Sequence, residues 1–380
     1  MKKMFLSAIL AICVSCLFVG GCSFVSNDGV QSDDKGNEYV KAERIAAGQI
    51  DYLFTEYEGF LYEAPSVIKD GEEYIISYTT NKTAGNEDRV IAVRKGTFTD
   101  GVFSFGEETV AVEPSEDGWD KYNLDNSDIV KGNFTYGGEN YSYLMVYQAN
   151  GIPAEKRMQI GAALSKDAIT WVKVGNSPLL SYDHEALGDT AGLCYPSVVN
   201  LNGNANLLLF YSRATALGTE TRFVEINVAD FASLETSGEI AIPSEGLPLD
   251  GNEWGITVNA DFAFDFENSM IYLVKDGFPY ATNNAKKATK IEFAKIALSD
   301  LYAQHAAWTK VVSVLDGLDL GGYTRIYSAE FVTDGYSRIN GNTLGFLFTS
   351  GVAAADIKDE TYKFKNGMHY YEIPSSIRED

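Results

Sequence analysis

The sequence predicts an all-β protein, a five-bladed β-propeller with four-stranded antiparallel blades, and three observations predict it. First, one pattern recurs five times: a short polar start, an apolar strand, a turn and a second apolar strand. With Pro65, Ser127, Pro196, Ala260 and Ala329 taken as equivalent, the copies stand roughly 62 to 69 residues apart. So even a period marks one supersecondary unit repeated around an axis. Second, short strand-like runs rich in Tyr, Phe, Val and Ile are broken by Gly, Asn and Asp at regular intervals, as in all-β architectures. Third, the second and third strands of each copy are apolar at nearly every position, which fits strands covered on both faces. Two β-sandwich domains are the alternative; the even period and the absence of a linker near the middle weigh against it.

Taken in order, the chain opens Met1-Lys2-Lys3, runs apolar from Met4 to Val19 and reaches Gly20-Gly21-Cys22. A basic start, a short apolar run and small residues describe a secretory signal. Val19-Gly20-Gly21-Cys22 resembles the bacterial lipobox, whose Cys becomes the lipidated first residue. Residues 1–21 are therefore expected to be a lipoprotein signal peptide, with Cys22 as the lipidation site. A transmembrane anchor or a non-lipidated signal is the alternative, although the run falls short of the roughly 20 apolar residues a span needs. Residues 22–45, rich in Ser, Asp, Gly and Asn, read as a flexible tether. Residues 46–376 hold the propeller. The mature protein is expected to be an extracytoplasmic monomer, lipid-anchored to the bacterial cell membrane or outer membrane.

The formal net charge of -23 excludes broad classes of partner. Nucleic acid requires clustered Lys and Arg, and an acidic surface does not adhere to anionic lipid. Membrane contact is thus expected through the N-terminal lipid alone. Cys13 and Cys16 leave with the signal and Cys22 takes the lipid, so Cys194 has no partner for a disulfide and reads as a small buried residue.

The first copy is Glu63 to Gly71 followed by Glu73 to Tyr78. The later ones lead from Asn126 into Tyr143 to Tyr147, from Tyr195 into Leu207 to Tyr211, from Asn259 into Met270 to Val274, and from Ser328 into Leu344 to Phe348. Third strands follow at Arg89 to Arg94, Gln159 to Leu164, Arg222 to Ile226, Lys290 to Ile296 and Met368 to Ile373. A fourth, outer strand is clearest at Ile169 to Val174. Helical turns are expected at Ala297 to Tyr302 and Val228 to Phe231.

Two pieces of sequence resemble a known family. Gln159 to Leu180, with its Ser165-Lys166-Asp167 turn before Trp171 and its Pro178-Leu179-Leu180, is similar to the third-strand to fourth-strand segment of five-bladed glycosidase propellers. Glu63-Ala64-Pro65 resembles the Glu-x-Pro blade of family 43 glycoside hydrolases, and the related families 32 and 130 share the propeller. The resemblance implies an inverting glycosidase in which Glu63 is the general acid and two Asp residues act as base and as modulator. Inversion places the carboxyls roughly 6.5–9.5 Å apart to admit a water. The sequence departs from the family where its Asp residues precede Pro: those positions hold Ala64, Asn126, Tyr195, Asn259 and Ser328, none a carboxylate.

Nearby acids supply substitutes. Asp125 shares the repeat position of Glu63, whereas Asp128, Asp261 and Glu330 share that of Ser66 and Ser197. Positions two or three apart at a strand start can reach one axial funnel, where mutual repulsion would raise at least one pKa. The catalytic candidates are Glu63 as acid, Asp128 or Asp261 as base and Asp125 as modulator. Turn capping is the structural alternative for Asp128 and Asp261. Substrate-binding candidates are Tyr62, Asn126, Tyr195, Trp254, Asn259, Arg325 and Glu330, at or just before strand starts; for the aromatics among them, simple packing is the alternative. No cofactor is required, and the three scattered His form no metal-ligand pattern; Ca²⁺ is an alternative occupant for converging carboxylates. The function expected is hydrolysis of glycosidic bonds in oligo- or polysaccharides. Non-catalytic carbohydrate binding on the same scaffold is the alternative, and a propeller used for protein contacts a third.

Overall fold

A computed structural model describes residues 60–83, 85, 88–216, 218–247, 259–277, 288–303, 305–314, 323–339, 344–352 and 366–373. The proposed signal, lipidation site Cys22 and tether lie outside the described residues, as does Trp254. Nearly all regular structure is strand. The first antiparallel run is β1 (Tyr62–Asp70), β2 (Glu73–Asn81) and β3 (Arg89–Thr99), with two short strands, β4 (Val102–Phe105) and β5 (Thr109–Val112), both paired to β3. The second is β6 (Tyr122–Tyr136), β7 (Glu139–Asn150), β8 (Gln159–Ser165) and β9 (Trp171–Lys173). The third is β10 (Leu193–Asn200), β11 (Asn206–Thr215) and β12 (Gly218–Asn227), flanked by β13 (Glu235–Thr236) and β14 (Ile240–Ala241).

The fourth run is β15 (Asp261–Asp265), β16 (Met270–Gly277), β17 (Lys290–Ala297) and β18 (Thr309–Val314). The last is β19 (Arg325–Asp334), β20 (Leu344–Gly351) and β21 (Asn366–Ile373), which makes three strands among the described residues rather than the four expected. Its β19 pairs in parallel with β1, Val67 against Val332, so the first and last runs merge into one eight-stranded sheet. The helical expectations were nearly placed: 3-10 turns form at Phe231–Ser233 and Asp300–Tyr302, and a four-residue helix, His184–Leu187, was not anticipated.

The first strands touch in a closed circle: β1 on β6, β6 on β10, β10 on β15, β15 on β19, and β19 back on β1. Hydrophobic clusters fill the space between neighbouring runs. Val130, Leu144 and Val146 meet Val198, Leu207 and Leu209; on the other face of the same run Phe210 and Phe223 meet Phe262 and Leu273. Ile68 and Val93 pack on Ile129 and Met145, Val274 on Phe346, and Tyr62 and Ile76 on Leu347 and Met368. Alternate side chains of one strand serve opposite interfaces, as the period of two dictates. This is why the second strands carry no polar face.

Candidate active site

All five first strands begin with the same irregularity. Ala64, Asn126, Tyr195, Asn259 and Ser328 have φ of 51°, 45°, 54°, 48° and 48°, the left-handed region that non-glycine residues rarely enter. In four of the strands this coincides with a shift of register against the second strand. The bulge is supported from the preceding run: the amide of Ala64 donates to Thr349 Oγ1 at 3.1 Å, that of Asn126 to Thr79 Oγ1 at 3.2 Å, that of Tyr195 to Gln148 Oε1 at 2.8 Å and that of Ser328 to Asp276 Oδ1 at 2.9 Å. None of the five is the Asp that the resemblance implies at two such positions. Here they turn the backbone instead.

The predicted carboxylates fall into two groups. Asp128, Asp261 and Glu330 form a belt that stitches the runs together around the axis. Asp128 Oδ1 accepts from Ser66 Oγ at 2.8 Å and from the Ile129 amide at 2.7 Å, while its Oδ2 takes the Val198 amide at 2.7 Å. Asp261 Oδ1 accepts from Ser197 Oγ at 2.7 Å, and its Oδ2 takes the Phe331 amide at 2.8 Å. Ser197 Oγ also accepts from the Phe262 amide at 3.0 Å, and Glu330 hydrogen-bonds Ser66, which closes the belt from the last run to the first. Burial raises all three carboxyl pKa values; the Asp128 charge raises Asp261 further, and the Asp261 and Asp128 charges raise Glu330 further. The base role expected for Asp128 or Asp261 meets a physical obstacle: both oxygens of each are tied to buried hydroxyls and amides of adjacent runs.

Glu63 and Asp125 form the second group. Arg89 Nη1 lies 3.2 Å from Glu63 Oε1 and also contacts Asp125 Oδ2, so a single guanidinium nitrogen serves both carboxylates. Tyr327 donates its hydroxyl to Glu63 Oε2 at 2.7 Å, and the Arg325 guanidinium lies 3.8 Å from the centre of the Tyr327 ring. Asp125 Oδ1 accepts from Thr79 Oγ1 at 2.7 Å and from the Asn126 amide at 2.9 Å. Burial raises the Glu63 pKa; Arg89 opposes that and the Asp125 charge adds to it.

Asp276, near the end of β16, joins this layer and was missed. It accepts from Asn259 Nδ2 at 2.5 Å as well as from the Ser328 amide, and burial pushes its pKa up to about 7. A signal for it existed. Lys275-Asp276 ends an otherwise apolar strand at the repeat position of Tyr78-Thr79, Tyr147-Gln148, Tyr211-Ser212 and Phe348-Thr349. Arg89 was equally legible as the charged first residue of an apolar third strand, but nothing local linked it to Glu63.

The remaining candidates divide by burial. Asn126, Tyr195, Asn259, Ser328 and Glu330 line an axial cavity of about 10 Å³, room for about one water. Asn259 Oδ1 is buried there without a hydrogen-bond partner among the described residues. Tyr62 is a correction: its ring packs against Phe60 and Tyr78 inside the cluster with Val67 and Ile76, so it is core rather than a sugar platform. Among the described residues no group of three or more His, Cys, Asp or Glu is arranged to hold a metal ion.

No family model matches the sequence, and no curated protein does. Solved structures do match. A family 117 glycoside hydrolase of the marine bacterium Zobellia galactanivorans is 13% identical with a TM-score of 0.56, over 85% of this chain and 89% of that one. A family 62 α-L-arabinofuranosidase catalytic domain of Coprinopsis cinerea is 10% identical with a TM-score of 0.55, over 85% and 95%. A thermostable family 43 glycoside hydrolase is 11% identical with a TM-score of 0.51, over 85% and 92%. The fold is that of propeller-type glycoside hydrolases. At such identities the likeness carries no residue roles, so the chemistry rests on the site itself.

Proposed function

We propose that this protein is a five-bladed propeller of the glycoside hydrolase type, its five antiparallel runs being the blades, which cleaves glycosidic bonds in an oligo- or polysaccharide with carboxylates gathered at the blade starts. The observation that carries this reading is the buried group Glu63, Asp125, Arg89 and Tyr327 beside Asp276 and the partnerless Asn259 oxygen. Burial raises the Glu63 pKa above that of a free Glu, the direction a general acid requires. Asp125 tunes it through the shared Arg89 and cannot serve as an inverting base. Two contacts to one nitrogen hold the oxygens within about 6 Å, whereas inversion needs carboxyls roughly 6.5–9.5 Å apart. The base is sought among Asp128, Asp261 and Asp276, each buried with both oxygens hydrogen-bonded in the fold. Asp276 joins the two predicted from sequence because it lies in the layer of Glu63, on a run that is not adjacent to it. Burial raises the pKa of all three, so the Asn variants of each, compared for turnover, tell the base from the carboxyls that only hold the fold.

Activity on aryl arabinosides, xylosides or galactosides, abolished in Glu63→Gln and releasing the inverted anomer by NMR, is the expected result. A second reading, glycan binding without turnover, is favoured by the bulge residues that replace the family's carboxylates and by the narrowness of the axial cavity. Binding that survives in Glu63→Gln, with no turnover by the unaltered protein, would establish it. In either case we propose an extracytoplasmic monomer anchored through lipid on Cys22.

A further inference from the structure

A groove of about 650 Å³ lies apart from the strand starts, where the far ends of β11 and β12 meet the short strand β13 and the 3-10 turn ending at Tyr302. Its size falls within the ~300–1,000 Å³ of small-ligand sites. Tyr302 forms one wall and is 41% exposed. Its ring is fixed at both ends: the hydroxyl donates to Glu225 Oε1 at 2.7 Å, and the ring stands edge-on to Phe223 with centroids 5.4 Å apart. An exposed ring already held in place presents a flat apolar face with little ordering cost on binding.

Among the described residues the rim is polar and free of positive charge. Asn202 and Asn227 each use their side-chain oxygen on a backbone amide, of Asn204 at 2.9 Å and Ala229 at 3.0 Å, which fixes the carboxamides at the edge. Exposed Asn206 and Glu235 add to it, and among the described residues no Lys or Arg lines the groove. Phosphorylated or sulfated ligands find no counter-charge there. An aromatic face beside fixed carboxamides and carboxylates matches a neutral sugar, which offers C–H groups on one side and hydroxyls around its edge.

We infer that this groove is a second carbohydrate-binding site, separate from the axial one, in which Tyr302 stacks on a neutral glycan chain and Glu225, Asn202 and Asn227 take its hydroxyls. Only the choice of a glycan as ligand leans on the proposed function; the placement of the site does not. The test is affinity electrophoresis of the mature chain through gels holding arabinoxylan, arabinan or mixed-linkage β-glucan. The unaltered protein and Glu63→Gln are expected to be retarded alike in at least one gel. Tyr302→Ala should raise the apparent dissociation constant tenfold or more, and Tyr302→Phe, which keeps the ring, should lose less. Retardation of Tyr302→Ala equal to the unaltered protein, or no retardation in any gel, overturns the inference. Loss in Glu63→Gln but not in Tyr302→Ala would place all binding at the axial site, and would leave the proposed function standing while this inference falls.

Discussion

At the scale of single residues, the carboxylates sort by what their oxygens touch rather than by repeat position. Glu63→Gln should lower kcat by about 10²–10⁴-fold, the range for a lost general acid. Asp128→Asn should lower stability first, because a buried carboxylate bonded to the Ser66 hydroxyl and the Ile129 and Val198 amides loses an acceptor. Parallel kinetics and unfolding midpoints separate the two behaviours. The belt also sets a pH dependence. Asp261 is raised to about 8 and Asp128 to about 6, both above the 3.8 of a free Asp, so the native state holds protons that the unfolded chain releases. Stability from these groups is complete below about pH 4 and declines as pH rises towards 8. The unfolding midpoint should therefore fall between pH 5 and 8, and less steeply in Asp261→Asn.

At the scale of elements, the recurrent left-handed residue is the device that shapes each first strand. The conformation costs a β-carbon-bearing residue roughly 1–2 kcal/mol, yet it recurs in all five copies because the freed amide meets a fixed acceptor on the preceding run, shown in four of them. Ala64 bears this cost without the polar side chain that eases it in Asn126 and Asn259. Ala64→Gly should raise stability by about 1 kcal/mol, less the added freedom of glycine in the unfolded chain, as read by urea denaturation. A fall in stability would mean that the Ala64 methyl contributes more packing than its conformation costs.

At the scale of the molecule, closure is the step on which the ring depends. The parallel pair of β1 with β19 joins the ends of the chain, and an aromatic group covers the seam. Phe103 lies 5.2 Å from Tyr370 of the last run and 4.5 Å from Phe98, with Tyr74 and Phe105 also in contact. Phe103→Ala should cost about 3–5 kcal/mol, the usual range for a buried Phe, measured by denaturant unfolding. At the other end of the chain, the proposed lipid is tested by detergent-phase partitioning: the processed protein should enter the detergent phase, and Cys22→Ser should stay in the aqueous one.

The sequence by itself determined the repeat, the strands and the twofold alternation that covers both faces of Leu207 to Tyr211, because periodicity and apolar content are local properties of the chain. It also marked the five strand starts and placed Glu63 and Asp125 at equivalent positions. The tertiary structure alone decided which acids could do chemistry. Whether Asp128 lies in open solvent or between the Ser66 hydroxyl and the Val198 amide depends on residues 62 positions before it and 70 after it. Arg89, Tyr327 and Asp276 reach the same layer from three different runs, a convergence that no spacing in the chain encodes. A side chain's residue type fixes its capacity to hold a proton. The neighbours brought to it by closing the ring fix whether that proton is used to bind the fold together or to break a bond.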